Sequence, residues 1–105
     1  MIVRNAFAAL ALALGAATAG AQEQFSPAQI RQGSQIYAQN CAPCHGARML
    51  DPQAAFDLRT FPPGEKSRFV NSVNKGKNAM PPWGDLFKPE EIDALWAYVV
   101  AGEKQ

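Results

Sequence analysis

Both cysteines and the single histidine of this 105-residue chain lie within five consecutive positions, in the sequence CAPCH at residues 41–45. A disulfide between Cys41 and Cys44 would close a very small loop and would constrain little of the unfolded chain. Domains of this size are marginally stable unless a disulfide framework, a metal or another staple supports them. We therefore expect something other than a disulfide to fill and fasten the core.

The first 21 residues have the organisation of a secretory signal peptide. Arg4 is the positive n-region, Ala6–Ala17 is an uncharged Ala/Leu-rich segment, and residues 19–21 supply the small side chains of a cleavage site. The alternative is a retained anchor, but a spanning helix needs ~20 apolar residues and this segment is shorter. We expect cleavage before Gln22, export, and a soluble mature domain of residues 22–105 without a membrane anchor.

Composition favours one globular domain and argues against nucleic-acid binding. The chain is 48% hydrophobic and 18% charged, as expected for a single globular unit. Removal of residues 1–21 leaves 84 residues with nine basic and nine acidic side chains. A nucleic-acid partner would favour a basic balance, so we expect none.

Three segments carry the signals of α-helices, and no segment alternates as a β-strand does. The predicted helices run from residue 27 to the cysteines, from 65 to 75 and from 89 to 102. Ser26 and Gln29 form the pattern of a capping box before the first helix, and Gly76 is placed to end the second. Residues 46–63 are predicted to be loop with a short helical turn near 54–56. The predicted fold class is all-α.

Cys-x-x-Cys-His is the attachment signature of c-type haem. Two thiols three positions apart at the end of a helix lie on one side of the chain and can add to the two vinyl groups along one haem edge. Cys41 and Cys44 are thus predicted to form thioethers, and His45 to bind the iron of one covalently bound haem c. A thioredoxin-like pair would need a βαβ framework, and a zinc site would need a fourth ligand.

A methionine is the candidate for the second iron ligand, because the chain has no other histidine. Met1 leaves with the signal peptide, and Met49 lies too near His45 in sequence to reach the opposite haem face. Met80 precedes Pro81, which biases it towards an extended backbone. The sequence therefore predicts axial ligation by His45 and Met80.

Residues 22–105 resemble the class I monohaem cytochromes c over nearly their whole length. The resemblance rests on the Gly33-x-x-x-Tyr37-x-x-x-Cys41 spacing before CAPCH, on AMPPWG at 79–84 and on LWAYV at 95–99. It implies a small helical bundle wrapped round one haem.

The resemblance also implies particular contacts. The first and last helices should cross where Gly33 and Tyr37 meet Leu95 and Tyr98. Tyr37 and Trp83 should pack in the haem pocket. In this family a loop carbonyl accepts a hydrogen bond from the proximal histidine, and the position that we name for it is Pro52.

The predicted function is that of a periplasmic one-electron carrier, a monomer that catalyses no reaction of a substrate. The signal peptide predicts the compartment, and the resemblance implies the electron transfer. Its partners would be redox proteins: a quinoprotein alcohol dehydrogenase, a cytochrome complex or a terminal oxidase. MPPWG before a closing helix is similar to small cytochromes that serve quinoprotein alcohol dehydrogenases. Two alternatives stay open: a haem protein that binds small ligands or acts as a weak peroxidase without Met80 on iron, and a fixed subunit of a dehydrogenase complex.

Charge is distributed unevenly along the mature chain. Residues 59–88 have a net charge of +4 and residues 89–105 a net charge of −3. The basic stretch brackets Met80, so it predicts a basic ring near the haem edge that steers an acidic partner. The alternative is a set of scattered, solvated lysines.

Overall fold

A computed structural model describes residues 24–103, whose helices are connected by loops. The elements are α1 (Pro27–Asn40), α2 (Ala42–His45), α3 (Lys66–Lys75), α4 (Pro89–Ala97), a π-helical segment (Tyr98–Gly102) that continues α4, and 3₁₀ turns at Ala47–Met49 and Leu58–Thr60. Within these residues the one β-type pairing is a bridge between Lys77 and Met80. The all-α prediction is confirmed. The predicted signal peptide lies outside the described residues.

No helix between residues 24 and 103 has the length and apolarity needed to cross a membrane.

The ends of the helices follow the sequence signals. The Ser26 hydroxyl accepts a hydrogen bond from the Gln29 amide at 3.0 Å, which satisfies one free donor of the first turn of α1. Helix α3 ends where Gly76 adopts φ +78°. At α4 the Glu91 carboxylate accepts a hydrogen bond from the Lys88 amide at 2.8 Å. This bond compensates for a lysine at the N-cap position.

The crossing of α1 and α4 depends on Gly33. A Cβ atom added to Gly33 would lie 1.9 Å from the Ala94 carbonyl oxygen and 2.9 Å from the Tyr98 Cβ. Only a residue without a side chain allows this approach. Nearby, the rings of Tyr37 and Tyr98 pack with their centroids 5.1 Å apart. The predicted crossing of the first and last helices is confirmed for Gly33, Tyr37 and Tyr98, and the backbone that Gly33 meets is that of Ala94, next to the predicted Leu95.

The last helix widens into a π-helical segment, which the sequence prediction of a regular helix to residue 102 did not include. A Cβ atom on Gly102 would lie 2.2 Å from Cδ1 of Tyr98. The Tyr98 ring therefore occupies the space beside the final turn.

The loop between α2 and α3 differs from the prediction in one detail. Two 3₁₀ turns lie in this loop, at Ala47–Met49 and Leu58–Thr60. Neither is near residues 54–56, where the backbone makes only a turn from the Pro52 carbonyl to the Ala55 amide. The Asp57 carboxylate accepts a hydrogen bond from the Arg59 amide at 3.0 Å. This cap starts the helical turn at Leu58, four residues after the predicted position.

An aromatic cluster joins α3, α4 and the loop before α3. The Trp96 ring is fully buried, with its centroid 5.2 Å from that of Phe69 and 5.8 Å from that of Phe61. Such tilted and edge-to-face pairs are favoured arrangements of buried rings. Phe61 and Phe69 then form part of the wall of the cavity described next.

Candidate haem site

All six site residues predicted from the sequence line one cavity of about 700 Å³. They are Tyr37, Cys41, Cys44, His45, Met80 and Trp83. The cavity walls come from the α1–α2 junction, the loop at 52–61, α3, the segment 77–87 and the last helix. The volume lies within the range of small-molecule and cofactor sites, roughly 300–1,000 Å³.

The junction of α1 and α2 brings the two thiols to the cavity. The Cys41 amide donates to the Tyr37 carbonyl at 2.8 Å, and the His45 amide donates to the Cys41 carbonyl at 2.9 Å. Cys41, the N-cap of α2, and Cys44 within it are therefore three positions apart on one side of a single helical turn. No disulfide joins these two cysteines. Burial, and then the neighbouring Cys44 thiol, raise the pKa of Cys41 to about 11.

The His45 ring is oriented by a backbone carbonyl from the following loop. Its Nδ1 lies 3.0 Å from the Phe56 carbonyl oxygen. A carbonyl can only accept, so Nδ1 carries the proton and Nε2 keeps its lone pair for a metal. The carbonyl that we named from the sequence, Pro52, was wrong: Pro52 lines the cavity, but Phe56 is the acceptor.

The loop reaches His45 through an unusual run of backbone conformations. Four residues that are not glycine have positive φ between α2 and Phe56: Arg48, Met49, Asp51 and Gln53. Such conformations bend the chain sharply and are uncommon outside glycine. Residue spacing does not reveal them, which explains why the sequence pointed to Pro52.

Tyr37 supports the backbone that follows His45. Its hydroxyl donates to the Gly46 carbonyl at 2.6 Å. Gly46 has φ +90°, and a Cβ atom there would lie 1.5 Å from the Leu50 carbonyl oxygen. The turn after His45 thus needs glycine and is held by a side chain of α1.

Met80 lies in a tight turn that forms one wall of the cavity. The Lys77 amide donates to the Met80 carbonyl at 3.0 Å, and the Met80 amide donates to the Lys77 carbonyl at 2.9 Å. The other methionine of the described chain, Met49, is a core residue that is 2% exposed. Its burial agrees with the sequence argument that Met49 does not serve the site.

Trp83 closes the segment that contains Met80. Its amide donates to the Val73 carbonyl of α3 at 2.8 Å. Its ring stacks on Phe87 with centroids 5.5 Å apart and planes inclined by 12°. Both rings line the cavity, so this part of the wall is flat and apolar.

The charged side chains at the cavity are cationic. Arg68 and Lys77 line it, and the described lining residues include no aspartate or glutamate. The Arg68 guanidinium lies 4.7 Å from the centroid of the Phe61 ring and forms an ion pair with Glu65 at 3.1 Å. The cavity therefore suits a mainly apolar group that carries negative charge at its edge.

These donors fit a covalently bound haem. Two thiols on one side of a helix, an imidazole with a free Nε2 and a thioether all reach one apolar cavity. Residues 24–103 contain no group of three or more His, Cys, Asp and Glu side chains arranged to hold a metal ion. The zinc alternative thus lacks its ligand set in this part of the chain.

Comparison with known proteins agrees with this geometry. The family model described as cytochrome C oxidase, cbb3-type, subunit III matches residues 28–99. The chain belongs to the c-type cytochromes. The family carries its haem through covalent bonds, so this c-type cytochrome has one covalently bound haem c with iron. Its haem makes it an electron-transfer protein.

Several cytochromes c6 are similar to this c-type cytochrome. The protein from Bryopsis maxima is 36% identical over 64% of this chain and 84% of its own length. The chloroplastic protein from Chlamydomonas reinhardtii is 34% identical over 88% of this chain and 63% of its own length. The crystal structure of cytochrome c6 from the diatom Phaeodactylum tricornutum has a TM-score of 0.54 and 33% identity, covering 70% of this chain and 92% of that one.

Larger proteins also contain a similar segment. The quinohemoprotein alcohol dehydrogenase ADH IIB of Pseudomonas putida is 32% identical over 74% of this chain, which spans only 12% of that protein. The cbb3-type oxidase subunit FixP of Azorhizobium caulinodans is 33% identical over 66% of this chain and 26% of its own length. The c-type cytochrome thus corresponds to one part of these proteins.

Proposed function

We propose that this c-type cytochrome is a periplasmic one-electron carrier with His/Met ligation. Cys41 and Cys44 hold the haem through thioethers, and His45 and Met80 bind its iron. Bound haem c supplies an iron that gains and loses a single electron. The observation that supports this proposal best is the convergence of these four residues, with Tyr37 and Trp83, on one apolar cavity.

His45 is suited to its role by its hydrogen bond. Donation from Nδ1 to the Phe56 carbonyl at 3.0 Å fixes both the tautomer and the plane of the ring. A ligand that is already oriented loses little freedom when it binds a metal, and its basicity rises. The thioether of Met80 raises the reduction potential relative to ligation by two nitrogens.

The apolar wall favours electron transfer without substrate chemistry. Phe61, Phe69, Leu95 and Val99 line the cavity and make this part of its wall apolar. Because both proposed iron positions are taken by side chains of this chain, no site is left for a small ligand. The ligand-binding alternative requires Met80 to be absent from the iron.

Covalent attachment and ligation are tested together in the exported protein. We expect haem to remain with the polypeptide under denaturing conditions and to be lost from the Cys41→Ala/Cys44→Ala double variant. The reduced protein should bind carbon monoxide poorly, whereas Met80→Ala should bind it readily. Haem that is extracted by acidified solvent, or strong carbon monoxide binding by the unchanged protein, would contradict the proposal.

Export is tested by fractionation and by the mass of the mature chain. We expect haem-bearing protein in the periplasmic fraction with Gln22 as its first residue, since residues 1–21 have the signal-peptide pattern. A haem-free protein that keeps residues 1–21 in the cytoplasm would contradict this localisation.

The partners that we propose are a quinoprotein alcohol dehydrogenase, a cytochrome complex or a terminal oxidase. The alcohol dehydrogenase and FixP similarities support this list. They also favour a second candidate, a fixed subunit of a quinoprotein dehydrogenase complex. We propose a monomer that exchanges electrons in transient encounters, so the purified protein should elute as a monomer. Constant co-purification with a dehydrogenase would instead support the fixed subunit.

A further inference from the structure

The turn that carries Met80 contains one residue with a left-handed backbone. Lys77 and Met80 exchange both of their backbone hydrogen bonds, at 3.0 and 2.9 Å, so Asn78 and Ala79 form a two-residue connection. Asn78 has φ +55°. Two-residue turns of this kind need positive φ at a central position, and here Asn78 provides it.

The segment 76–84, which contains this turn, is fixed to α3 at both ends. At the start, Gly76 has φ +78°, and a Cβ atom there would lie 2.6 Å from the Met80 carbonyl oxygen. At the end, the amides of Trp83 and Gly84 donate to the carbonyls of Val73 and Asn74 at 2.8 and 3.2 Å. The path between these anchors is short, so the conformation of residue 78 determines where Met80 lies.

We propose that Asn78 is a positioning residue for the iron ligand Met80. Its left-handed backbone closes the Lys77–Met80 turn and thereby keeps the thioether at the cavity. The inference rests on the proposed ligation by Met80. Asparagine suits the position because its short polar side chain tolerates a left-handed backbone better than most residues do.

The side chain at residue 78 determines how readily the backbone adopts positive φ, so variants at this position should differ in how well they keep the turn closed. Glycine adopts positive φ freely, so Asn78→Gly keeps the turn. A β-branched residue is strongly disfavoured at positive φ, so Asn78→Val opens it. Asn78 is exposed at the edge of the cavity, and neither variant replaces a core residue; Asn78→Gly also loses the lining side chain, so it separates that loss from the opening of the turn. Asn71→Val is the matched control, because Asn71 is exposed on α3 and does not line the cavity.

The test measures how easily imidazole displaces Met80 from the ferric iron. Opening the turn lowers the fraction of molecules with Met80 bound, which raises the apparent affinity for imidazole. We expect the apparent Kd for imidazole to fall about tenfold in Asn78→Val, since a left-handed residue costs about that factor. Asn78→Gly and Asn71→Val should stay close to the unchanged protein. Covalent haem content and helical circular dichroism establish that each variant is folded.

A second measurement, amide hydrogen exchange, does not depend on the replacement of Met80 at the iron. The amide hydrogens of Lys77 and Met80 should exchange with solvent faster in Asn78→Val than in Asn71→Val. Equal imidazole affinity and equal exchange in these two variants would overturn the role of Asn78. If the unchanged protein and Met80→Ala have the same spectrum, the proposed ligation is overturned, and the positioning role with it.

Discussion

The Tyr37 hydroxyl donates a hydrogen bond of 2.6 Å to the Gly46 carbonyl, which joins the first helix to the residue directly after His45. Burial, followed by the nearby Cys41, raises the pKa of Tyr37 to about 12. The phenol therefore stays a neutral donor throughout the physiological range. The same ring packs on Tyr98, so one side chain connects the helix crossing to the residue that follows CAPCH.

Replacement of Tyr37 by phenylalanine isolates that hydrogen bond. Tyr37→Phe retains the ring contact with Tyr98 but leaves the Gly46 carbonyl without this partner. We expect the free energy of unfolding to fall by about 1–2 kcal/mol, measured by denaturant titration of the haem-bearing protein. An unchanged midpoint would show that the bond does not hold the segment.

The helix crossing should not accept any side chain at Gly33. An added methyl group meets the Ala94 carbonyl at 1.9 Å, so α1 and α4 must separate. We expect Gly33→Ala to lower the free energy of unfolding by about 3 kcal/mol or more. Gly64→Ala is the matched control, because nothing lies within 4 Å of its added Cβ, and it should be neutral or stabilising by up to about 1 kcal/mol. Equal effects of the two substitutions would contradict the crossing.

The end of the π-helical segment should respond to pH through Glu103. Its carboxylate accepts a hydrogen bond from the Tyr98 hydroxyl at 2.5 Å and pairs with Arg48 at 3.0 Å. Tyr98 first, and Arg48 second, lower the pKa of Glu103 from its ordinary value of 4.5. Because the pKa of this carboxyl group is lower in the folded than in the unfolded state, its ionised form stabilises the fold fully at any pH above the unfolded-state pKa. This stabilisation is lost as pH falls through the folded-state pKa.

The variant Glu103→Gln should therefore be less stable at neutral pH by about 1 kcal/mol. The difference in free energy of unfolding between this variant and the unchanged protein should shrink as pH falls below 4.5, the ordinary pKa of this carboxyl group. Denaturant titrations at a series of pH values measure it. Asp85→Asn removes one exposed carboxylate from a loop and serves as the control. A difference that does not vary with pH would exclude the linkage.

The cationic lining of the cavity predicts a salt-dependent encounter with an acidic redox partner. Lys77 lines the cavity, whereas Arg31 is exposed on α1 and does not. Electron transfer to an acidic partner should slow steeply as ionic strength rises. Lys77→Gln should lower the rate at low salt more than Arg31→Gln does. Stopped-flow rates that are independent of salt would favour the scattered-lysine alternative.

The sequence predicted the parts of this molecule that depend on local pattern. Ser26 caps α1, Gly76 ends α3, and CAPCH brings two thiols and an imidazole to one cavity, because each follows from spacing and backbone preference. The Phe56 acceptor of His45 was not predicted, since it depends on positive φ at residues such as Arg48 and Met49. The widening of the last helix was also missed, because it depends on the space that the Tyr98 ring takes beside Gly102.

The sequence predicted where the basic stretch lies along the chain, but not which of its side chains line the cavity. Net charge placed a basic stretch around Met80, and the structure puts Arg68 and Lys77 at the cavity. Three basic residues of that stretch are paired with carboxylates: Arg68 itself with Glu65 at 3.1 Å, Lys66 with Asp93 at 3.3 Å and Arg59 with Asp57 at 3.0 Å. Sequence alone does not show which lysines and arginines reach the cavity.

The optical spectrum of the ferric protein tests ligation by Met80 most directly. A methionine on ferric haem gives a charge-transfer band, which we expect in the unchanged protein and not in Met80→Ala. Met49→Leu is the matched control, because it replaces the buried methionine with a side chain of similar volume and should keep the band. A band that survives Met80→Ala, or that Met49→Leu removes, would contradict the account.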